Sequence, residues 1–205
     1  MRFRMFCGLV LMAGLTVNPA LAEKLTFSPK AFQVFGAIDS GTKRTSKIRL
    51  SSVPDELRSR TIDFTTGLAP GSVIVRTGKR RLYYVLPDGK AIEYKVGVGK
   101  EGFTWSGTNV ISRKAEWPDW RPPQEMIRRE ARRGRKLPAF MPGGPENPLG
   151  ARALYIGDTE FRIHGTTQPW SIGRAMSSGC IRMMNEEVID LYDRVKIGAM
   201  VVVED

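Results

Sequence analysis

The clearest signal in the chain is a change of pattern near Gly71. From there short apolar runs alternate with turn residues. Residues 72–76 (Ser72-Val73-Ile74-Val75-Arg76) are β-branched and bounded by Pro70-Gly71 and Gly78. Residues 81–86 form a second such run, Pro87-Asp88-Gly89 is a turn signal, and 91–98 supply a third. This predicts a three-stranded meander, ended by Gly97, Gly99 and Gly102. Strand signals return at 153–156 and 160–163, joined by Gly157-Asp158, and a closing strand is predicted at 200–203. A helix is predicted over 124–133, begun by prolines and stopped by Gly134. A short turn or helix is expected near 171–176. A further helix starts at Asn185 as N-cap, with Glu186 and Glu187 in its first turn. Its apolar face is Val188, Leu191, Tyr192 and Val195 at i, i+3, i+4, i+7. The rest of 103–150 reads as loop, and the Pro- and Gly-rich run 141–150 excludes regular structure. The class is mainly β (α+β), with the helices near one end of the sheet.

Residues 23–70 lack such periodicity. Pro29, Pro54 and Pro70 punctuate them, and only 31–38 suggests a short strand. They read as an N-terminal extension, partly ordered, ahead of a domain over 71–205. At the start, Arg2 and Arg4 precede an apolar run from Met5 to Val17, and Ala20-Leu21-Ala22 follows. That is the layout of a signal peptide over 1–22, cleaved after Ala22. The run is shorter than the ~20 residues of a spanning helix, so no membrane span is expected after cleavage.

Composition and charge sharpen this. With 41% hydrophobic and 26% charged residues the 205-residue chain is globular in type. Its net charge of +11 becomes +9 once Arg2 and Arg4 leave with the leader. Such a surplus favours an anionic partner without choosing among nucleic acid, lipid or acidic polymer. Export argues against nucleic acid, and no aromatic–basic nucleic-acid motif is present. The basic run 128–136 fits either a solvated helix face or attraction to an anionic wall or membrane surface.

Of the two cysteines, Cys7 lies in the leader, so the mature chain keeps Cys180 alone and has no internal disulfide. The chain has one histidine, His164. Both residues are flanked by glycine, at Gly179 and Gly165. A Cys–His pair suffices for thiol nucleophilic catalysis: imidazole takes the thiol proton and returns it to the leaving amine. Glycine beside the nucleophile lets a substrate carbonyl approach and frees N–H groups for an oxyanion. A buried inert thiol and an unrelated structural histidine are the bland alternative. No zinc site can be built from one His and one Cys, so no metal is expected.

His164-Gly165-Thr166 followed by Ser178-Gly179-Cys180-Ile181-Arg182 resembles the signature of the L,D-transpeptidase catalytic-domain family (YkuD domain, ErfK/YbiS/YcfS/YnhG-like). The likeness extends to Arg81-Leu82-Tyr83-Tyr84, to 94–99, to Asn147-Pro148-Leu149-Gly150 and to Tyr155-Ile156, so it covers about 72–205. It implies a β-sandwich with the Cys–His site at the sheet edge. It also implies a periplasmic enzyme of cell-wall maturation acting on peptidoglycan stem peptides without a cofactor. By the resemblance Cys180 is the nucleophile, His164 the general acid/base and Gly179 an oxyanion-hole backbone. Cys180 would be acylated by a tetrapeptide stem with release of D-Ala. A second stem amine would then give a 3→3 cross-link, water would give carboxypeptidase activity, and an outer-membrane protein or lipoprotein amine would be tethered. Many relatives carry His where this chain has Ser178, which leaves His164 as the base.

Arg182, Ser178, Gly165, Tyr155 and Trp170 are the candidate substrate contacts. Arg182 suits a stem carboxylate, or else a structural ion pair. Ser178 suits the thiolate region, or simple turn chemistry. Tyr155 and Trp170 could line a pocket, or pack a core. The stretch 105–150 is expected to cover the site as a lid. Two rivals stay open: a non-catalytic wall-binding module that keeps the fold, and an exported polyanion-binding protein.

Overall fold

The computed structural model describes residues 53–205; the leader and the strand expected at 31–38 lie outside them. Eleven strands and two α-helices follow in order. The strands are β1 (Arg60–Asp63), β2 (Val73–Arg76), β3 (Arg81–Val85), β4 (Lys90–Lys95), β5 (Val98–Gly99), β6 (Gly107–Glu116), β7 (Arg152–Ile156), β8 (Arg162–His164), β9 (Ala175–Ser177), β10 (Ile181–Arg182) and β11 (Met200–Glu204). The helices are α1 (Gln124–Ala131), between β6 and β7, and α2 (Asn185–Arg194), between β10 and β11. The mainly β class with few helices holds, and so do the meander β2–β3–β4, both helices and the closing strand.

Nine strands form one sheet in the order β1-β4-β3-β2-β11-β6-β7-β8-β10. β6 joins its two halves: Gly107–Val110 pair with β11, and Ile111–Glu116 pair with β7 across a register shift. Beyond β4, Gly97 exchanges both backbone hydrogen bonds with Arg182 of β10, which ties the first half of the sheet to the last. One apolar core lies within. Val73, Val75, Leu82 and Tyr94 from one half meet Ile111, Leu154, Ile163 and Ile181 from the other, with Val188 and Leu191 of α2. The i, i+2 alternation of the strands places these residues on one face.

Several elements differ from the sequence expectation: β9 is a strand where a short turn or helix is expected near 171–176, and the two-residue strands β5 and β10 are too short to show a pattern. β6 occupies a stretch read as loop, because ten residues contain only one fully buried side chain, Ile111, and so show no alternation. β1 pairs antiparallel with β4 within the stretch read as a partly ordered extension. There Ile62, Phe64 and Leu68 cover a second apolar face of Ile74, Tyr83, Val85 and Ala91. Asn185 is the first residue of α2 rather than its cap: Met184 is the N-cap and makes no side-chain capping bond. The Asn185 amide is used elsewhere, as described below.

Candidate active site

β8 and β10 run parallel, with Ile163 opposite Ile181 and His164 opposite Arg182. The two isoleucines point into the core. By alternation Arg162, His164 and Arg182 share the other face, and Cys180, one residue before β10, continues it. Ala153 of β7 stands beside His164, so a methyl group leaves room for the imidazole. On this face opens a cavity of about 690 Å³, lined by Cys180, His164, Arg162, Arg182 and Ser178 among others. The sequence-predicted pair, 16 positions apart, thus meets in one cavity.

His164 is buried, and its Nδ1 lies 2.6 Å from the Gly165 carbonyl oxygen. A carbonyl only accepts, so Nδ1 carries the proton and Nε2 keeps its lone pair. Burial, aided by the Arg182 charge, pushes the imidazole pKa down to about 3. The ring is therefore neutral at neutral pH.

Gly165 is buried and lies behind the histidine, outside the cavity lining. A Cβ there would fall 2.2 Å from Asn185 Oδ1, so only glycine fits. Asn185 Oδ1 accepts from the Ala151 and Thr166 amides at 3.0 and 3.3 Å, and its Nδ2 donates to the Thr166 carbonyl. One side chain at the start of α2 therefore fixes both segments that flank the His164 loop.

Cys180 is half-buried, and its Sγ contacts the Glu160 carbonyl at 3.8 Å. Burial pushes the thiol pKa up, and the neighbouring Arg162 and Arg182 guanidinium groups oppose that rise. The loop that carries Cys180 is held from three sides. Ser177 Oγ donates to the Cys180 carbonyl at 2.6 Å and accepts from the Gly179 amide at 3.2 Å. Trp105 Nε1 donates to the Gly179 carbonyl, and its ring stacks on Phe161 with centroids 4.7 Å apart. Gly179 has φ +108°, and a Cβ would strike the Phe161 ring at 2.4 Å. Because the Gly179 N–H is committed to Ser177, it is not free for an oxyanion.

The remaining expected contacts divide. Ser178 lines the cavity, and its Oγ accepts from Arg129 of α1 at 2.9 Å. Arg182 lines it too, with Nη1 donating to Gln168 Oε1 at 3.2 Å. Tyr155 does not line it: the ring is buried between Arg113 and Arg162, its register partners on β6 and β8, with their guanidinium carbons 3.5 and 5.3 Å from its centroid. It packs behind the site and supports Arg162. Trp170 does not line it either: it is 53% exposed, with Arg174 over its ring. Of the stretch expected as a lid, β6 belongs to the sheet, whereas α1 and the segment after it form a cavity wall through Met126, Arg129, Leu137 and Leu149. Arg129 is half-buried against Phe103, so the basic run is not uniformly a solvated face.

Arg162, Ser177, Asn185 and Trp105 were not anticipated as site residues. Arg162 carried one available signal, the two-residue spacing from His164 on a strand, which places both on one face. Among the described residues no group of three or more His, Cys, Asp or Glu could hold a metal ion, and no helix is long and apolar enough to cross a membrane.

The sheet thus brings a cysteine, just before its edge strand β10, and a histidine, on the adjacent β8, to one cavity. Residues 70–203 match the family model of the YkuD L,D-transpeptidase catalytic domain, and the chain belongs to that family. It is 40% identical over 138 residues to the Probable L,D-transpeptidase ErfK/SrfK of Escherichia coli strain K12, covering 65% of this chain and 44% of that protein. It is 36% identical over 135 residues to the Probable L,D-transpeptidase YbiS of the same strain, covering 63% of this chain and 43% of that protein. The chain thus spans less than half the length of these curated relatives. The catalytic domain of an E. faecium L,D-transpeptidase shares the fold, with a TM-score of 0.51 at 19% identity, covering 67% of this chain and 99% of that one.

Proposed function

We propose that this protein is an exported L,D-transpeptidase of the peptidoglycan, with Cys180 as nucleophile and His164 as general acid/base. The observation that carries this is that Cys180 and His164 line one cavity, with His164 held through Nδ1 by the Gly165 carbonyl. With a thiol raised by burial and an imidazole lowered by it, the resting pair is neutral. Proton transfer then accompanies attack rather than preceding it.

In the acylation step Cys180 Sγ bonds to the carbonyl carbon of the third stem residue. Its proton passes to His164 Nε2 and on to the departing D-Ala nitrogen as the peptide bond breaks. The thioester that remains is attacked by an amine of a second stem. That amine's proton passes through His164 to the leaving sulfur, which regenerates the thiol. Arg162 and Arg182 stabilise the negative charge that develops near sulfur. With the Gly179 amide engaged, the oxyanion donor on the nucleophile itself is the Cys180 N–H. The acceptor is a stem amine in 3→3 cross-linking, or an amine of an outer-membrane protein or lipoprotein; water in its place gives tripeptide. The basic, apolar, Ala-x-Ala order of residues 1–22 supports delivery to the periplasm.

The test is incubation of the purified protein and its Cys180→Ala variant with disaccharide-tetrapeptide. The expected result is a mass adduct on Cys180, release of D-Ala and 3→3 dimers, all absent from the variant. No adduct on a thiol shown to be reduced would favour a wall-binding module instead.

A further inference from the structure

We propose that the cavity selects an acyl donor bearing at least two free carboxylates, held by two separate arginine groups on its floor and on its wall. This rests on the reading of the cavity as the acyl-donor site and adds a substrate requirement to it.

The floor group is Arg162 and Arg182. Among the described residues neither forms an ion pair with an acid. Arg182 meets only the neutral amide of Gln168, and Arg162 Nε is buried with no hydrogen-bond partner. Two guanidinium groups thus line the cavity with no acid to offset them, which favours an anionic ligand group there. The wall group comes from α1 and the turn after it. Arg129, Arg133 and Arg135 all converge on Glu130, one carboxylate for three cations, which leaves two positive charges uncompensated. Arg129 is fixed there by its bond to Ser178, two residues before the nucleophile. With Lys100 these make six cations lining the cavity, against Glu130 and Glu160. The guanidinium fork matches a carboxylate in two parallel bonds and has no comparable match to a carboxamide. The floor carries two charges with no acid partner and the wall two more beyond Glu130, so a single carboxylate leaves most of the positive charge unmatched. Amidation of either ligand carboxylate should therefore lower kcat/KM for acylation roughly 10- to 100-fold.

The experiment compares acyl-enzyme formation, by intact mass, for disaccharide-tetrapeptide with free carboxylates and for the same compound amidated at one of them. Wild type should acylate the free form faster by the stated factor, and only the variant of the group that holds the amidated carboxylate, Arg133→Gln or Arg182→Gln, should bring the ratio towards one. Equal rates in wild type, or a ratio unmoved in both variants, overturn the proposal while leaving the transpeptidase reading intact. Absence of acyl-enzyme from both donors overturns that reading and the proposal with it.

Discussion

Arg182 and His164 are register partners across the parallel β8–β10 ladder, so a guanidinium stands beside the imidazole on the same face. Two things follow for the ring: it is out of water, and its protonated form would face a cation. Both hold it neutral. A histidine whose folded pKa is near 3 and whose unfolded value is near 6.5 binds a proton only on unfolding between those limits. Stability from His164 is then complete above about pH 6.5 and is lost as pH falls towards 3, at about 1.4 kcal/mol per pH unit. Urea unfolding of wild type and His164→Gln from pH 7.5 to 4.5 measures it: the wild-type curve should fall more steeply. Glu187, whose carboxyl burial pushes up, contributes with the opposite sign in both proteins and cancels in the difference. Parallel curves would show that the ring is not held neutral.

Arg162 supplies the charge that opposes burial at the thiol. Its guanidinium is the first of the influences that lower the Cys180 pKa, acting against the desolvation that raises it. Removing it should leave desolvation unopposed there. In Arg162→Met the pH midpoint for alkylation of Cys180 by iodoacetamide should move to higher pH, and the rate at pH 7 should fall several-fold. Arg162→Lys keeps the charge but not the fork, and should lie between the two. A midpoint unchanged in Arg162→Met would make Arg162 a packing residue for Tyr155 and nothing more.

What could be read from the chain, and what could not, divides along burial. β2, β3, β4 and β11 announce themselves because both faces of each, or one clean face, are apolar. β6 does not: it is a connecting strand whose polar side chains face solvent, and its pairing energy lies in backbone bonds that no side-chain pattern reports. β1 is hidden for the same reason at the sheet edge. Cys180 and His164 stood out by rarity and glycine flanks. Their supports did not, because Ser177 and Asn185 are ordinary turn and cap residues until the fold brings distant amides to them. For Tyr155 the sequence left two readings, lining the pocket or packing a core. The alternation of β7 sets Leu154 and Ile156 into the core and turns Tyr155 to the other face, where two arginines enclose it.

Asn185 makes a sharper case for support at a distance. Its amide satisfies two backbone donors and one acceptor in the segments around Gly150 and Thr166. In Asn185→Ala these groups lose their partner, and each buried orphan costs about 1–3 kcal/mol. For a protein of this size the melting temperature should fall by roughly 5–10 °C. Asn185→Asp keeps the acceptor oxygen but sets a carboxylate oxygen against the Thr166 carbonyl, so it should recover only part of the loss. Differential scanning calorimetry of the two variants checks this. Equal melting temperatures for both would mean that the oxygen is not the important atom.

The residue before Cys180 must be glycine. Gly179 has φ +108°, where an L side chain is strained, and its missing Cβ is the space that the Phe161 ring occupies, 2.4 Å away. Phe161 is itself fixed by its stack on Trp105, whose indole N–H holds the Gly179 carbonyl. Ring, indole and loop therefore form a closed circuit, and an added methyl must break it somewhere. Gly179→Ala should lose acylation more than 100-fold, since small misplacement of a nucleophile is amplified in rate. It should also shift Trp105 fluorescence if the stack opens. Two causes are separable. Backbone strain stays whatever the neighbour is, but the clash disappears when the ring does. In the cycle of Gly179→Ala, Phe161→Ala and the double variant, the double variant should be more stable than the sum of the single losses predicts, by about 1 kcal/mol or more. Additive losses would assign the requirement for glycine to backbone conformation alone and leave Phe161 with no part in it.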